Sequence, residues 1–331
     1  MNITVGMYAH HQGAGHLQRC RAIAEHLNAQ VTILSSLPDA DIGLPLDTAP
    51  EIENYAEFTA GNTLHWVPLH VDGLRQRMAL IAQWIQINKP DVFFVDVSVE
   101  VAQFVRLMGV PVITIAMPGE RTDTPHQTMY AQATALIAAC PSDAPVPAHL
   151  QGFADKLYAV GGISRFEAQE SLTSESPYTE QPKKMQAVVL QGRGGTAWTQ
   201  DYWDAVALAC PSWNFTVLGG NNRVENPMPY LTHADVVISA SGQNSVADIA
   251  LAGTSAIFIP QERAFGEQRA TARVLEYLGL ATVVWDLPQE NTWAGILEQA
   301  CKKPAQWNRW QVVGAAQRAA RIIEEKAGKT W

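Results

Sequence analysis

The chain has 331 residues, enough for two domains that each bury a core of their own. Its 23 Lys and Arg stand against 32 Asp and Glu, a formal net charge of −9, which excludes a broad sequence-independent nucleic-acid footprint because such a surface must neutralise phosphates. With 47% hydrophobic residues a disordered or fibrous chain is not expected, and no stretch approaches the roughly 20 apolar residues that span a bilayer.

Met1 to Tyr8 carry no basic leader and no small-residue cleavage site, so no signal peptide is expected. Cys20, Cys140, Cys210 and Cys301 are too widely spaced for a CxxC metal pattern or a dense disulfide framework, and read as reduced thiols of a cytoplasmic protein.

Along the chain, β-rich runs alternate with helical-period segments, the pattern of an α/β protein whose parallel sheets are covered on both faces. In the first half the expected strands are Ile3 to Ala9, Val31 to Ser35, Thr63 to Val67, Val92 to Val97, Val112 to Ala116 and Lys156 to Val160. Helical periodicity is clearest from Gly15 to Asn28 and from Gly73 to Asn88. Residues 163–184 are polar and hold Pro177 and Pro182, so they read as a linker. The second alternation places strands at Ala187 to Gln191, Phe215 to Leu218, Val236 to Ser239, Ala256 to Ile259 and Ala281 to Trp285. The expected units are therefore a first α/β domain over 1–162, the linker, a second α/β domain over 185–303, and a C-terminal helix within 304–331 that packs back on the first domain. In that last segment Trp307, Trp310, Val313, Ala316, Ala320 and Ile323 form one stripe.

In doubly wound sheets ligands sit beyond the carboxyl ends of the strands, so the loops there are the candidates for chemistry. The first strand runs into His10-His11-Gln12-Gly13-Ala14-Gly15-His16, which turns tightly into a helix; Gln18 breaks the spacing of a dinucleotide fingerprint. In the second half, Val236 to Ser239 ends in Ala240-Ser241-Gly242-Gln243-Asn244, small and polar residues that open a helix toward an anion. Asp248 follows on that helix, near its exposed side. Pro260 to Gln268 ends another strand with Glu267 and Gln268, acidic and amide groups suited to sugar hydroxyls. Gln191-Gly192-Arg193-Gly194-Gly195 offers free backbone and one guanidinium, enough with the other loops to hold a pyrophosphate without metal. Asp39-Ala40-Asp41 matches a metal-binding DxD only superficially, and no metal or other cofactor is expected.

The segment SGQNSVADIALAG…IFIP…EQ, within Ala234 to Gln268, is similar to the nucleotide-sugar signature of glycosyltransferase family 28, and GAGH at 13–16 resembles that family's N-terminal glycine loop. The resemblance implies two facing Rossmann-like domains, the GT-B fold, with the acceptor bound by the domain over 1–162 and the nucleotide sugar by the domain over 185–303. It also implies a metal-independent, inverting transfer of a hexose, with a UDP-sugar favoured as donor, to an unidentified acceptor hydroxyl. Position by position it places the ribose-binding carboxylate on Asp248, one methylene shorter than the family's Glu, the sugar-contacting amide on Gln268 and the loop histidine on His16. The family's glycine-rich loop appears as Gly192, Arg193, Gly194 and Gly195. A stretch typical of the peptidoglycan branch is replaced by Pro118-Gly119-Glu120-Arg121-Thr122-Asp123, a departure that bears on the acceptor.

His16 is then the candidate base, with Asp96 orienting it or contacting the acceptor or, at least as well, capping the following helix. The donor side comprises Gly192, Arg193, Gly194, Ser241, Gly242, Gln243, Asn244, Asp248, Glu267 and Gln268; the acceptor side comprises Gly13, Gly15, Glu120 and Arg121. GAGHLQRC also resembles the GxGHxxRC loop of hydrolases of the pseudaminic acid pathway, which makes a nucleotide-sugar hydrolase the second reading. A noncatalytic nucleotide-sugar-binding subunit is the third. Nucleic acid is not an expected partner. The segment Gly73 to Asn88, with Arg75 and Arg77, reads as a core-packing helix in preference to a peripheral membrane contact.

Overall fold

The computed structural model describes residues 3–13, 15–49, 55, 57–167, 176–178, 184–192, 198–303 and 305–328. The first half folds as β1 (Ile3–Ala9), α1 (Gly15–Ala24), β2 (Ala29–Ser35), β3 (Ile42–Gly43), α2 (Asp72–Asn88), β4 (Val92–Asp96), α3 (Val99–Leu107), β5 (Val112–Ile115), α4 (Thr124–Gln132), β6 (Ala135–Ala138) and β7 (Leu157–Ala159). The second half adds β8 (Met185–Leu190), α5 (Gln200–Ala209), β9 (Trp213–Leu218), α6 (Met228–Thr232), β10 (Val236–Ser239), α7 (Gln243–Ala252), β11 (Ala256–Phe258), α8 (Glu267–Tyr277), β12 (Thr282–Val283), α9 (Trp293–Lys302) and α10 (Ala315–Ala327).

These strands form two sheets, ordered β3-β2-β1-β4-β5-β6-β7 and β12-β11-β10-β8-β9, with every neighbouring pair parallel. The strand order reverses between β1 and β4 in the first sheet and between β8 and β10 in the second. At those switch points the crossover helices leave to opposite faces and a crevice opens at the carboxyl ends. Ala9 pairs with Asp96 at the first crevice, and Ser239 with Leu190 at the second.

Both faces of each sheet are covered. Leu17, Cys20 and Ile23 of α1 pack on one face of the first sheet, and Ile81, Trp84 and Ile85 of α2 with Val101 and Val105 of α3 on the other. In the second sheet α7 and α8 cover one face, while Trp203 of α5 and Trp293 and Leu297 of α9 cover the other. Helix ends follow local chemistry. Thr199 caps α5 through its side chain, and α2 stops where Lys89 turns left-handed (φ 45°) before Pro90.

Two expectations need correction, and the strand β6 was not expected. Thr63 to Val67 is not a strand: Ala60 and Asn62 adopt positive φ, Thr63 N–H donates back to Thr59, and the Glu100 carboxylate accepts from the N–H groups of His65 and Trp66. With its donors satisfied inside a turn, the segment has no need of a sheet partner. Conversely, Ala135–Ala138 forms the buried strand β6 although alanine is a poor strand former, because pairing on both sides overrides that preference. The stripe after Lys303 is split. A 3₁₀ turn at Trp307–Trp310 belongs to the second core, Gln311 and Gly314 take positive φ, and α10 then joins α1 in the first core. Val313 lies at the break and is exposed. The linker positions 168–175 and 179–183 lie outside the described residues.

No helix among the described residues is long and apolar enough to cross a membrane. In α2, Arg77 is buried. Its guanidinium donates to Tyr8 Oη, to the Asp47 carboxylate, to Ser36 Oγ and to the Pro45 carbonyl. Arg75 is exposed and pairs with Asp72 within its own helix.

Candidate functional site in the interdomain cleft

The loops at the two switch points face each other across a cleft of about 690 Å³. Gly13, Gly15, His16, Gln18 and Arg19 line it from the first domain; Gln191, Gly192, Ser241 to Ser245, Asp248, Glu267 and Gln268 line it from the second. Gly13 has φ 98°, which lets β1 turn into α1 and sets His16 in the first turn of that helix.

His16 Nδ1 lies 3.1 Å from Asp96 Oδ1. Asp96 is fully buried at the end of β4, and its second oxygen accepts from Arg19 Nε at 2.8 Å. Burial pushes the Asp96 carboxyl up, but the charge of Arg19 and the contact with His16 outweigh it and hold the group below its ordinary value. The carboxylate is therefore ionised and able to orient the imidazole. The capping role for Asp96 is ruled out, because Ser98 caps α3 by accepting from Val101 N–H. Between them Val97, a β-branched residue, has φ 60°, a strained conformation of the kind that clusters at functional sites. His10, whose ring stands 6.1 Å from that of His16, is lowered to about 3 by burial and by the nearby histidines, so it is neutral.

On the opposite wall, α7 begins at Gly242 with no side-chain cap, so its free first-turn N–H groups open on the cleft. Several side chains expected to donate to an anion are engaged elsewhere. Ser241 Oγ donates to the Gln268 carbonyl at 2.8 Å, and Gln243 reaches across the cleft, its Oε1 accepting from Arg19 at 3.1 Å. Gln268 Oε1 accepts from Gln261 N–H, which positions the loop before α8. Asn244 faces Gly15 so closely that a Cβ there would stand 2.6 Å from its amide nitrogen.

Asp248 is not near the solvent side of its helix, as the sequence pattern implies. It is buried, accepts from Ser164 Oγ at 2.6 Å, and is raised to about 6 by burial, with Ser164 and Arg165 opposing the shift. Arg193 and Gly194 lie outside the described residues. Three arginines that the sequence reading did not assign to the site, Arg165, Arg223 and Arg263, line the cleft and give it positive charge in an acidic chain. Arg165 and Arg223 belong to no motif, and Arg263 stands in the loop from Pro260 to Gln268. Arg19 was also missed, although it lies three residues after His16 and so shares its helix face.

Glu120 and Arg121 do not line the cleft. Glu120 is exposed and its N–H donates to the Phe265 carbonyl, while Arg121 is buried under the Phe265 ring, 4.6 Å from its centroid. Arg121 also donates to His126 Nε2 at 2.9 Å. His65, Asp123 and His126 bring ligand-type atoms within 4.8 Å of one another. Their bonds are nevertheless those of a hydrogen-bond chain. Arginine can only donate, so His126 carries its proton on Nδ1, toward Asp123 at 2.7 Å. A metal on that nitrogen would force a proton onto Nε2, against the guanidinium.

Two facing parallel-sheet domains with a cleft between their switch points define the GT-B glycosyltransferase fold. Residues 223–306 match the glycosyltransferase family 28 C-terminal domain. The chain is 14% identical to the kitacinnamycin glycotransferase (TM-score 0.68, covering 98% of this chain and 99% of that one). It is 16% identical to MurG of Acinetobacter baumannii (TM-score 0.60, 98% and 100%), and 14% identical to UGT89C1 of Arabidopsis thaliana complexed with UDP-L-rhamnose (TM-score 0.67, 99% and 100%). No curated protein matches the chain at a significant level.

Proposed function

We propose that the protein is a nucleotide-sugar-dependent glycosyltransferase that works without metal and inverts the anomeric centre, with a UDP-hexose as the favoured donor. The observation that carries this reading is the His16–Asp96 pair facing the uncapped start of α7 across the cleft. The first-turn N–H groups of α7 hold the diphosphate, each favourable anion contact contributing about 0.3–2 kcal/mol. Gly192 lets the backbone approach, and Arg165 and Arg223 add charge. Asp248 receives the ribose hydroxyls. Gln268 and Glu267 meet the sugar, which lies between α8 and His16.

Asp96 holds the His16 proton on Nδ1, which leaves Nε2 with a lone pair toward the cleft. The acceptor hydroxyl gives its proton to Nε2 as its oxygen attacks the anomeric carbon. The bond to the diphosphate breaks, and the leaving charge stays on the helix terminus. The acceptor enters from the first-domain side past Gly13 and Gly15. The domain division follows the same plan, with the acceptor half over 1–162 and the donor half over 185–303.

The test is a thermal-shift panel of nucleoside diphosphates and their sugars, since a ligand at 100 times its Kd adds about 2.7 kcal/mol. Stabilisation by one nucleotide family supports the donor site and identifies the base, whereas no shift with any of them removes the reading. Fast release of free sugar from donor alone, indifferent to every acceptor, would instead assign a hydrolase.

A further inference from the structure

Arg19 belongs to neither half of the reaction just described, yet it touches both. It is 4% exposed and sits on α1 beneath His16. Nε donates to Asp96 Oδ2 at 2.8 Å, and one terminal nitrogen donates to Asp96 Oδ1 at 3.1 Å. The other terminal nitrogen crosses the cleft to Gln243 Oε1 at 3.1 Å. Gln243 is the first residue of α7, the helix whose terminus faces the cleft.

The same guanidinium also comes within 3.3 Å of His16 Nδ1, which lies 3.1 Å from Asp96 Oδ1. One nitrogen cannot satisfy both neighbours. Arginine only donates, so a bond from Arg19 requires a lone pair on Nδ1 and puts the proton on Nε2. A bond to Asp96 requires the proton on Nδ1 and leaves Nε2 free to act as a base. Where Arg19 is held therefore decides between the competent and incompetent tautomers. Its charge matters as well. Asp96 has no access to solvent, and without a cationic neighbour it would draw a second proton onto the imidazole. The other titratable or charged groups facing this assembly are His10 and His11 beside His16, and Cys20 and Glu267 beside Arg19.

We propose that Arg19 is a positioning residue that couples the seating of the donor helix, read through Gln243, to the tautomer and charge state of His16. With Gln243 in place, the guanidinium is drawn toward α7 and stays bidentate on Asp96, so Nδ1 keeps its proton. When the domains part, that tether is lost and Arg19 is free to compete for Nδ1. The base is then assembled only when the donor half is docked, which protects a nucleotide sugar from premature attack. The inference rests on the reading of His16 as the base.

The experiment is a ¹⁵N-labelled long-range correlation spectrum of the full-length protein near pH ~7.5, where free imidazole is mostly neutral, with His16 assigned by His16→Gln and UDP binding followed by calorimetry. Wild type is expected to show a protonated Nδ1 and an unprotonated Nε2. Arg19→Met should move His16 to the doubly protonated pattern, and Gln243→Ala should convert the single neutral tautomer into a mixture. Arg19→Lys, which keeps the charge and is the gentler change should Arg19→Met not fold, should retain a neutral ring. A wild-type pattern with the proton on Nε2, a Gln243→Ala spectrum that keeps the single wild-type tautomer, or an Arg19→Met or Arg19→Lys pattern contrary to these, overturns the proposal. If wild type shows the expected tautomer but binds no UDP, GDP, CDP or dTDP, the donor reading fails while the Arg19 assignment stands.

Discussion

Ser164 donates a 2.6 Å hydrogen bond to Asp248, which joins the chain leaving the first domain to the middle of α7 in the second. The carboxyl it grips is buried and raised from 3.8 to about 6. Folding therefore favours the protonated form, and the contribution of this one group to stability is fully present below about pH 4 and is lost as pH rises through 6. Above pH 6 the ionised group costs about 3 kcal/mol relative to its neutral form. Asp248→Asn keeps an acceptor for Ser164 and removes that cost. It is expected to melt higher than wild type near pH ~7.5 and to match it near pH ~4, while nucleotide affinity falls. Thermal melts at the two pH values check the sign.

His16→Ala removes the base and leaves the facing helix intact. Turnover should fall by about 10² to 10⁴, with nucleotide affinity unchanged. Asp96→Asn should lower turnover in the same range, because an amide can present its donor to Nδ1 and hold the wrong tautomer. Steady-state kinetics with calorimetric nucleotide binding separate the two effects. Wild-type turnover in His16→Ala would remove the histidine from the mechanism.

Gly119 has φ 103°, and a Cβ on it would stand 2.3 Å from the Phe265 carbonyl, which accepts from the next N–H. Gly119→Ala should cost about 1–3 kcal/mol and loosen the contact between domains. Gly109 is the control, with φ 79° and nothing within 4 Å of its Cβ position. Gly109→Ala should cost only its backbone strain, about 1–2 kcal/mol. Urea unfolding gives the costs. Small-angle scattering should show a wider molecule only for Gly119→Ala.

Arg77 and Arg75 sit two residues apart on α2 with opposite surroundings. Arg77→Met leaves Asp47 with an uncompensated charge and strands four acceptors, so a loss of about 3–5 kcal/mol is expected. Arg75→Met breaks only an exposed pair and should change stability by less than about 0.5 kcal/mol. Denaturant titration of both variants checks the contrast, and a similar small effect at both sites would refute the buried network.

The alternation of strands and helices, and the placement of His16 and of the Ser241 to Asn244 helix start at strand ends, were legible in the sequence. They depend on residues close together in the chain, where periodicity and turn chemistry act directly. The β6 strand was hidden because its alanines carry no local preference, and Thr63 to Val67 misled because Glu100, distant in sequence, takes up its N–H groups.

The side-chain assignments of the site were decided by tertiary structure. Sequence patterning put Asp248 toward solvent, whereas Ser164 from another segment buries it. It offered a helix cap, an acceptor contact and a partner for His16 as roles for Asp96, and Ser98 at the helix start removes the first while His16 and Arg19 engage both carboxylate oxygens. Arg121 reads as an acceptor-side charge until Phe265 from the other domain covers it. A chain by itself determines which groups stand at the ends of its strands. Which of them keep a free lone pair or proton depends on partners brought together across the cleft, and only the folded arrangement of both domains settles that competition.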